Sequence, residues 1–212
     1  MEALLDSVRH KKHVIWDWNG TIVDDMEWCH TVINGILDEE GLNTITPRFY
    51  QQHFCFPVRN FYEKLGFNFE VHCFDALSEK FIARYLSGAD KLGLRSGVKS
   101  IFQAIRNLKI TQSILSASNE SYLASMVKSY DIHHWFDHVF GLNNHHASSK
   151  IERGLDLMGH TNCRKEDTIL IGDTDHDVEV AEALGIDVVL LQSGHQCPDK
   201  LKQTFPEVKM FY

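Results

Sequence analysis

The stretch VIWDWNGTIVDD, residues 14–25, decides how the rest of the chain is read. An apolar run stops on Asp17, passes through Asn19-Gly20-Thr21 and closes on Asp24 and Asp25. A carboxylate placed where a buried strand emerges is costly to desolvate without compensation. Asp17 can be a nucleophile, a metal ligand or a surface charge. Its neighbour two places on is Asn19, where another carboxylate would suit acid–base chemistry better.

Four more short apolar runs end, like this one, in small or polar residues. With HVIWDW (13–18) they are QSILS (112–116), HVFGL (138–142), TILIGD (168–173) and VVLLQ (188–192). Several are continuously apolar, as strands covered on both faces should be. Helical stripes lie between them. Ser96 is placed to cap a helix bearing Val98, Ile101, Phe102, Ile105 and Leu108; Leu123, Met126, Val127 and Tyr130 form a second stripe, and Ile151, Leu155 and Met158 a third. Strands alternating with helices predict an α/β fold with a Rossmann-like parallel sheet. Ligands of such sheets bind beyond the carboxyl ends of the strands.

Residues 26–92 break the rhythm. They hold helix signatures and no strand: Met26, Cys29, Ile33, Ile36 and Leu37 before Gly41, then starts at Thr46–Pro47 and Pro57. Val58, Phe61 and Leu65 precede Gly66, and Phe74, Leu77, Phe81, Ile82 and Tyr85 precede Gly88. The expected organisation is an α/β core of residues 1–24 and 93–212 with an inserted all-helical cap at 25–92. A lid over the strand ends would attach there.

Composition sets the outer bounds. At 212 residues, 43% hydrophobic and 24% charged, the chain matches ordinary globular proteins. A formal charge of −8 argues against a nucleic-acid binder, though not against a small anionic substrate. The five cysteines suggest no disulfide framework, and a cytoplasmic setting is expected. No signal peptide and no membrane span are expected. The pairs His133–His134 and His145–His146 read as loop or surface residues and not as metal ligands.

Asp17, Ser116 and Asp173 close three strands, and Lys150 opens a helix after a fourth. Singly each has a bland role: turn cap, helix cap or solvated lysine. Together they share one sheet edge. Asp17, Asp173 and Asp177 should converge, and two carboxylates about 4 Å apart repel by ~1 kcal/mol in water and ~4 kcal/mol at an effective dielectric of 20. A hard divalent cation removes that cost, and Mg2+ prefers such oxygen ligands. A metal beside an Asp, a hydroxyl and a lysine makes a cradle for a phosphoryl group, which an aspartate can attack.

These residues resemble the motifs of the haloacid dehalogenase superfamily, chiefly its phosphatases with a helical cap, on the phosphoglycolate phosphatase branch. DWNGTIVD resembles the first motif, Ser116 the second, Lys150 the third, and GDTDHDVEVAEALGI the acidic fourth, with Gly172, Asp173 and Asp177 in GDxxxD spacing. LRSGVKSIFQAI resembles the segment leading out of the cap. The resemblance spans nearly the whole chain. It implies a hydrolase in which Asp17 attacks phosphorus. Ser116 and the backbone N–H groups of Trp18, Asn19 and Ala117 bind the phosphoryl oxygens, and Lys150 neutralises charge. Mg2+ is held by Asp17, the carbonyl of Asn19 and Asp173, with Asp177 direct or through water. Asp175 and His176 are spacers; Asp24 and Asp25 cap the first cap helix.

Position 19 departs from the pattern. In the family's phosphatases it is an Asp that protonates the leaving oxygen and then activates water, and Asn19 does neither. The expected function is hydrolysis of a small phosphorylated metabolite through an aspartyl phosphate, slowed unless another group moves the proton; His176 and a cap residue are candidates. The alternative is a weakly active or inactive phosphate-ester binder with a regulatory role. A metal-independent dehalogenase is disfavoured by Lys150 with GDTDHD, and a sugar-phosphate mutase by the missing Asp. The substrate would be read by the cap, around HFCFPVRN, where His53 and Arg59 read as surface residues first and contacts second.

Overall fold

The computed structural model describes residues 2–142 and 150–212, so the His145–His146 pair lies outside the described residues. The chain begins with helix α1 (Glu2–Val8), strand β1 (His13–Trp16) and the two-residue strand β2 (Val23–Asp24). Four helices follow: α2 (Met26–Glu39), α3 (Pro47–His53), α4 (Val58–Lys64) and α5 (Phe74–Gly88). Strand β3 (Gly93–Leu94) then leads into α6 (Val98–Asn107), β4 (Thr111–Asn119), α7 (Glu120–Ser129) and β5 (His138–Leu142). The remainder is α8 (Lys150–Thr161), β6 (Thr168–Gly172), α9 (Asp175–Leu184), β7 (Asp187–Leu191), α10 (Pro198–Thr204) and β8 (Lys209–Phe211).

Six strands form one parallel sheet in the order β5-β4-β1-β6-β7-β8. The chain steps outward from β1 on one side, then crosses back and steps outward on the other. Loops leaving β1 and its two neighbours therefore diverge above a crevice, the usual ligand position in such sheets. The five expected strands are present. The sixth, β8, is a three-residue edge strand, too short for an apolar pattern to announce it. β2 and β3 make a separate antiparallel ribbon, Val23 opposite Leu94 and Asp24 opposite Gly93.

The continuous burial of β1 and β6 has a simple cause. Val14 and Trp16 pack with Leu4, Val8, Phe102 and Ile105 on one face, while Ile15 packs with Leu157, Val180 and Leu184 on the other. Trp16 meets Phe102 edge-on at 5.1 Å and donates its ring N–H to Gln112 at 3.1 Å. Both faces are covered, so neither polarity nor alternation is left to see. The strands anchor the site loops rigidly.

Helix ends follow the sequence with two exceptions. Thr46 caps α3 by accepting from Phe49 N at 3.1 Å, and Thr174 with Asp177 forms a capping box on α9. The cap of α6 is Gly97 and not Ser96. Asp25 occupies the cap position of α2 but makes no capping hydrogen bond; its carboxylate is used elsewhere, as described below. Helices α2 to α5 stand over the carboxyl ends of β1, β4 and β6. The cysteines are free, and no helix among the described residues is long and apolar enough to cross a membrane.

Candidate active site

Asp17 follows the last residue of β1 and remains tied to the sheet, its N–H bonded to Ile171 O at 2.8 Å. The chain then turns sharply because Trp18 O accepts from Ile22 N at 2.9 Å and Val23 N at 3.0 Å. The Trp18 ring is fully buried and locks the turn from below. Asp17 is held at the crevice, 8% exposed.

Lys150, the first residue of α8, is buried against two carboxylates. It donates to Asp17 Oδ1 and to Asp177 Oδ1, the latter at 2.6 Å. Burial opposes its charge, but Asp17 and Asp177 overcome this and hold it protonated. The other oxygen of Asp177 accepts from Asp173 N (3.1 Å), Thr174 N (3.0 Å) and the Thr174 hydroxyl (2.8 Å). Asp177 thus fixes both Lys150 and the loop that presents Asp173.

Asp173 accepts from the Thr21 hydroxyl at 3.0 Å and His195 N at 2.6 Å. Two backbone segments press on this carboxylate. A Cβ at Gly20, whose φ is +71°, or at Gly194 would overlap it, so only glycine fits at either position. Oxygens of Asp17, Asp173 and Asp177 lie within 4.8 Å of one another. Burial raises the Asp173 carboxyl to about 6, partly offset by the charge of His195. Burial likewise raises Asp17, opposed by Lys150 and reinforced by Asp177 and Asp173.

The charge balance fits a cation. Four buried carboxylates (Asp17, Asp25, Asp173, Asp177) gather here against two buried cations, Lys150 and His195. A divalent ion among hard oxygen donors would close that deficit.

Ser116 and Ala117 stand where β4 loses register with β5 between Leu115 and Asn119. Such an irregularity re-aims side chains at a strand end. Ser116 is buried and accepts from Ser118 N at 3.0 Å. Ser116, Ala117, Lys150, Asp17, Asn19 and Asp173 all line one cavity.

Asn19 faces its surroundings in an unexpected way. Its amide donates to Asp25 Oδ2 at 2.6 Å, and its carbonyl oxygen accepts from the Ser118 hydroxyl at 2.9 Å. Asp25, expected to cap α2, is instead wholly buried and accepts from Gly20 N (2.8 Å), Tyr85 OH (2.8 Å) and His195 Nε2 (3.1 Å). Burial would raise its pKa, but the charge and hydrogen bond of His195 win and lower it. Burial pushes the His195 pKa down, yet Asp25, Asp173 and Asp17 raise it to about 9; its Nδ1 meets Tyr50 OH at 3.0 Å. Sequence reasoning missed His195. The signal was present: it lies on the loop after VVLLQ, at the same sheet edge that singled out Asp17, Ser116 and Asp173.

The cavity, of ≈ 700 Å³, lies between the strand ends and helices α2 to α5. From HFCFPVRN it takes Phe54, Phe56 and Val58, while neither His53 nor Arg59 lines it. His53 stacks on Phe49 at 4.0 Å, and the Arg59 guanidinium covers the Phe69 ring at 4.3 Å. His176 does line it, stacked on Phe56 at 4.7 Å and bonded to Glu179 at 2.9 Å. His133 and His134 are exposed, as expected.

Solved structures share this architecture. A predicted phosphatase from Clostridium acetobutylicum superposes with a TM-score of 0.80 at 15% identity, covering 95% of this chain and 94% of that one. A haloacid dehalogenase-like hydrolase from Streptococcus pneumoniae gives 0.77 at 20% identity over 96% and 95%. A putative phosphoglycolate phosphatase from Lactobacillus delbrueckii gives 0.72 at 16% over 95% and 94%. At such identities the likeness is one of fold. No curated protein matches the chain in sequence. The sequence itself matches the haloacid dehalogenase-like hydrolase family across residues 14–191, from β1 to the end of β7, a span that holds Asp17, Ser116, Lys150, Asp173 and Asp177 but ends before His195. The chain is a member of the haloacid dehalogenase-like hydrolases.

Proposed function

We propose that this protein is a Mg2+-dependent phosphomonoesterase working through an aspartyl phosphate on Asp17. The observation that supports it most is Asp17 itself: a buried carboxylate at the crevice, beside Lys150, Ser116 and two further carboxylates. Asp17 Oδ attacks phosphorus, the ester P–O bond breaks, and the alkoxide or phenolate leaves with the bonding electrons and takes its proton from water. Water then attacks the same phosphorus, releasing inorganic phosphate and restoring Asp17. Ser116 with the N–H groups of Trp18, Asn19 and Ala117 holds the phosphoryl oxygens, and Lys150 balances their charge.

Asp17, Asp173 and the carbonyl of Asn19 would hold Mg2+, with Asp177 reached through water because its own oxygens are engaged. When bound, the ion supplies charge neutralisation to phosphate and nucleophile. Residues 25–92 act as the cap and 1–24 with 93–212 as the core, the β2–β3 ribbon marking both crossings between them.

Asn19 supplies no proton to the leaving group. General acid–base assistance is typically worth ~10²–10⁴ in rate, so a slow enzyme with a long-lived phospho-Asp17 is expected. The test is a panel of phosphate esters assayed with and without Mg2+, alongside Asp17→Asn. Turnover that needs both Mg2+ and Asp17 supports the reading; full activity in Asp17→Asn overturns it.

A further inference from the structure

Resting on that reading, we propose that the substrate is the phosphate monoester of an uncharged aromatic alcohol, bound with its ring against the cap and its phosphate at Asp17. The cavity wall carries the argument. Nine phenyl or phenol rings line it, among them Phe54, Phe61, Tyr62, Phe74, Phe81 and Tyr85. They brace one another: Phe54 lies 5.3 Å from Phe61, Tyr62 5.8 Å from Phe74, and Phe81 stacks on Tyr85 at 6.3 Å. A wall of rings held in place this way is preorganised for another ring, which gains from offset or edge contacts beyond its buried area.

Two of the four phenol hydroxyls on the wall are engaged by the buried network. Tyr85 OH is donated to Asp25, and Tyr50 OH is bonded to His195. Each therefore presents a ring to the cavity while its hydroxyl serves the buried network.

Cations are scarce. Lys150 is the only Lys or Arg among the described lining residues, and residues 143–149, NNHHASS, contain neither. His176 and His195 already hydrogen-bond Glu179 and Asp25. A substrate with one phosphate would find its counter-charge at Lys150, which already pairs with Asp17 and Asp177, and at the divalent ion proposed above. A second anionic group, such as the carboxylate of phosphoglycolate, finds no further Lys or Arg among the described lining residues and would leave a charge desolvated among rings. The volume agrees: ≈ 700 Å³ lies within the range of about 300–1,000 Å³ that buries much larger ligands than a two-carbon acid.

The chemistry at position 19 points the same way from a separate observation. Asn19 donates its N–H to Asp25 and cannot protonate a leaving oxygen. A phenolate leaves without that help far more readily than an alkoxide, so the site suits aryl esters on both binding and departure.

The experiment compares kcat/KM for 2-naphthyl phosphate, phenyl phosphate, ethyl phosphate and 2-phosphoglycolate with the Mg2+-loaded protein. Binding of each to Asp17→Asn by calorimetry gives a readout independent of turnover. Naphthyl should exceed phenyl by tenfold or more, mainly through KM, and phosphoglycolate should fall at least a hundredfold below phenyl. Phe81→Ala should shrink the naphthyl-to-phenyl ratio at least threefold, with the fold checked by circular dichroism. Comparable values for all four esters, or a preference for phosphoglycolate, would overturn the inference while leaving the phosphatase reading intact. Hydrolysis of none, with naphthyl phosphate still bound tightest by Asp17→Asn, would overturn the phosphatase reading and leave the ligand class standing.

Discussion

Asn19 donates its side-chain amide to Asp25 across 2.6 Å, six residues on and just past the short strand β2. The amide is not a passive replacement for a carboxylate. It is the donor that a buried Asp25 requires, and it stands between Asp25 and the Ser118 hydroxyl.

Restoring a carboxylate at position 19 should therefore fail on its own. Asn19→Asp sets two carboxylates in contact, at a cost of up to ~4 kcal/mol for an effective dielectric of 20. The single variant should lose stability in urea and gain little activity. Asn19→Asp with Asp25→Asn reverses the polarity of the same hydrogen bond. That double variant should recover most of the stability and raise turnover of ethyl phosphate tenfold or more. No difference between single and double variants would show that the two side chains are uncoupled.

Removing Lys150 should destabilise the protein strongly. Lys150→Met leaves Asp17 and Asp177 buried without their cation, and breaking a buried pair in this way costs roughly 3–5 kcal/mol. Equilibrium urea unfolding in the absence of metal measures it. A loss below about 1 kcal/mol would mean that the two carboxylates are better solvated than their burial implies.

Mg2+ should raise the melting temperature of the wild-type protein, and EDTA should reverse the gain. A ligand at a hundred times its dissociation constant stabilises by about 2.7 kcal/mol. Asp173→Asn should abolish the shift, because it removes the carboxylate that Gly20 and Gly194 are shaped to admit. An unchanged shift in that variant would place the cation elsewhere.

His13 should make the fold acid-sensitive without touching the site. The Thr111 hydroxyl donates to Lys12 O at 2.9 Å and so accepts from His13 Nδ1 at 2.7 Å. That leaves Nε2 buried and without a partner, with nothing to receive a proton bound there. Burial chiefly lowers its pKa from 6.5 to about 4. Between those values the unfolded chain binds a proton that the folded chain refuses, so stability falls as pH drops from 6.5 towards 4. The full effect is about 3 kcal/mol, and above the unfolded pKa it vanishes. His13→Asn keeps a donor for Thr111 and should flatten the stability curve across that window. Parallel curves for the two proteins would rule His13 out.

Local pattern was enough for the frame. Short apolar runs ending in small or polar residues marked β1, β4, β5, β6 and β7, most plainly β1 and β6, where burial on both faces leaves few polar positions to confuse the reading. Residues at the ends of those strands have to share an edge once the strands are parallel, and this alone brings Asp17, Ser116, Lys150 and Asp173 together. β8 escaped because its three residues carry no period.

Only the tertiary structure decided what each polar group faces. His195 and Asp25 are 170 residues apart and meet at 3.1 Å, a contact that no spacing rule contains. Asp25 looked like a helix cap because caps are local, and it became the centre of a buried network because α5, through Tyr85, and the loop after β7 close over it. The apolar stripes of α2, α4 and α5 predicted helices that pack, but not that part of their rings would be left lining a cavity above Asp17. Side-chain periodicity records that a face is buried. Which surface buries it, and where a gap remains, depends on the path of the whole chain.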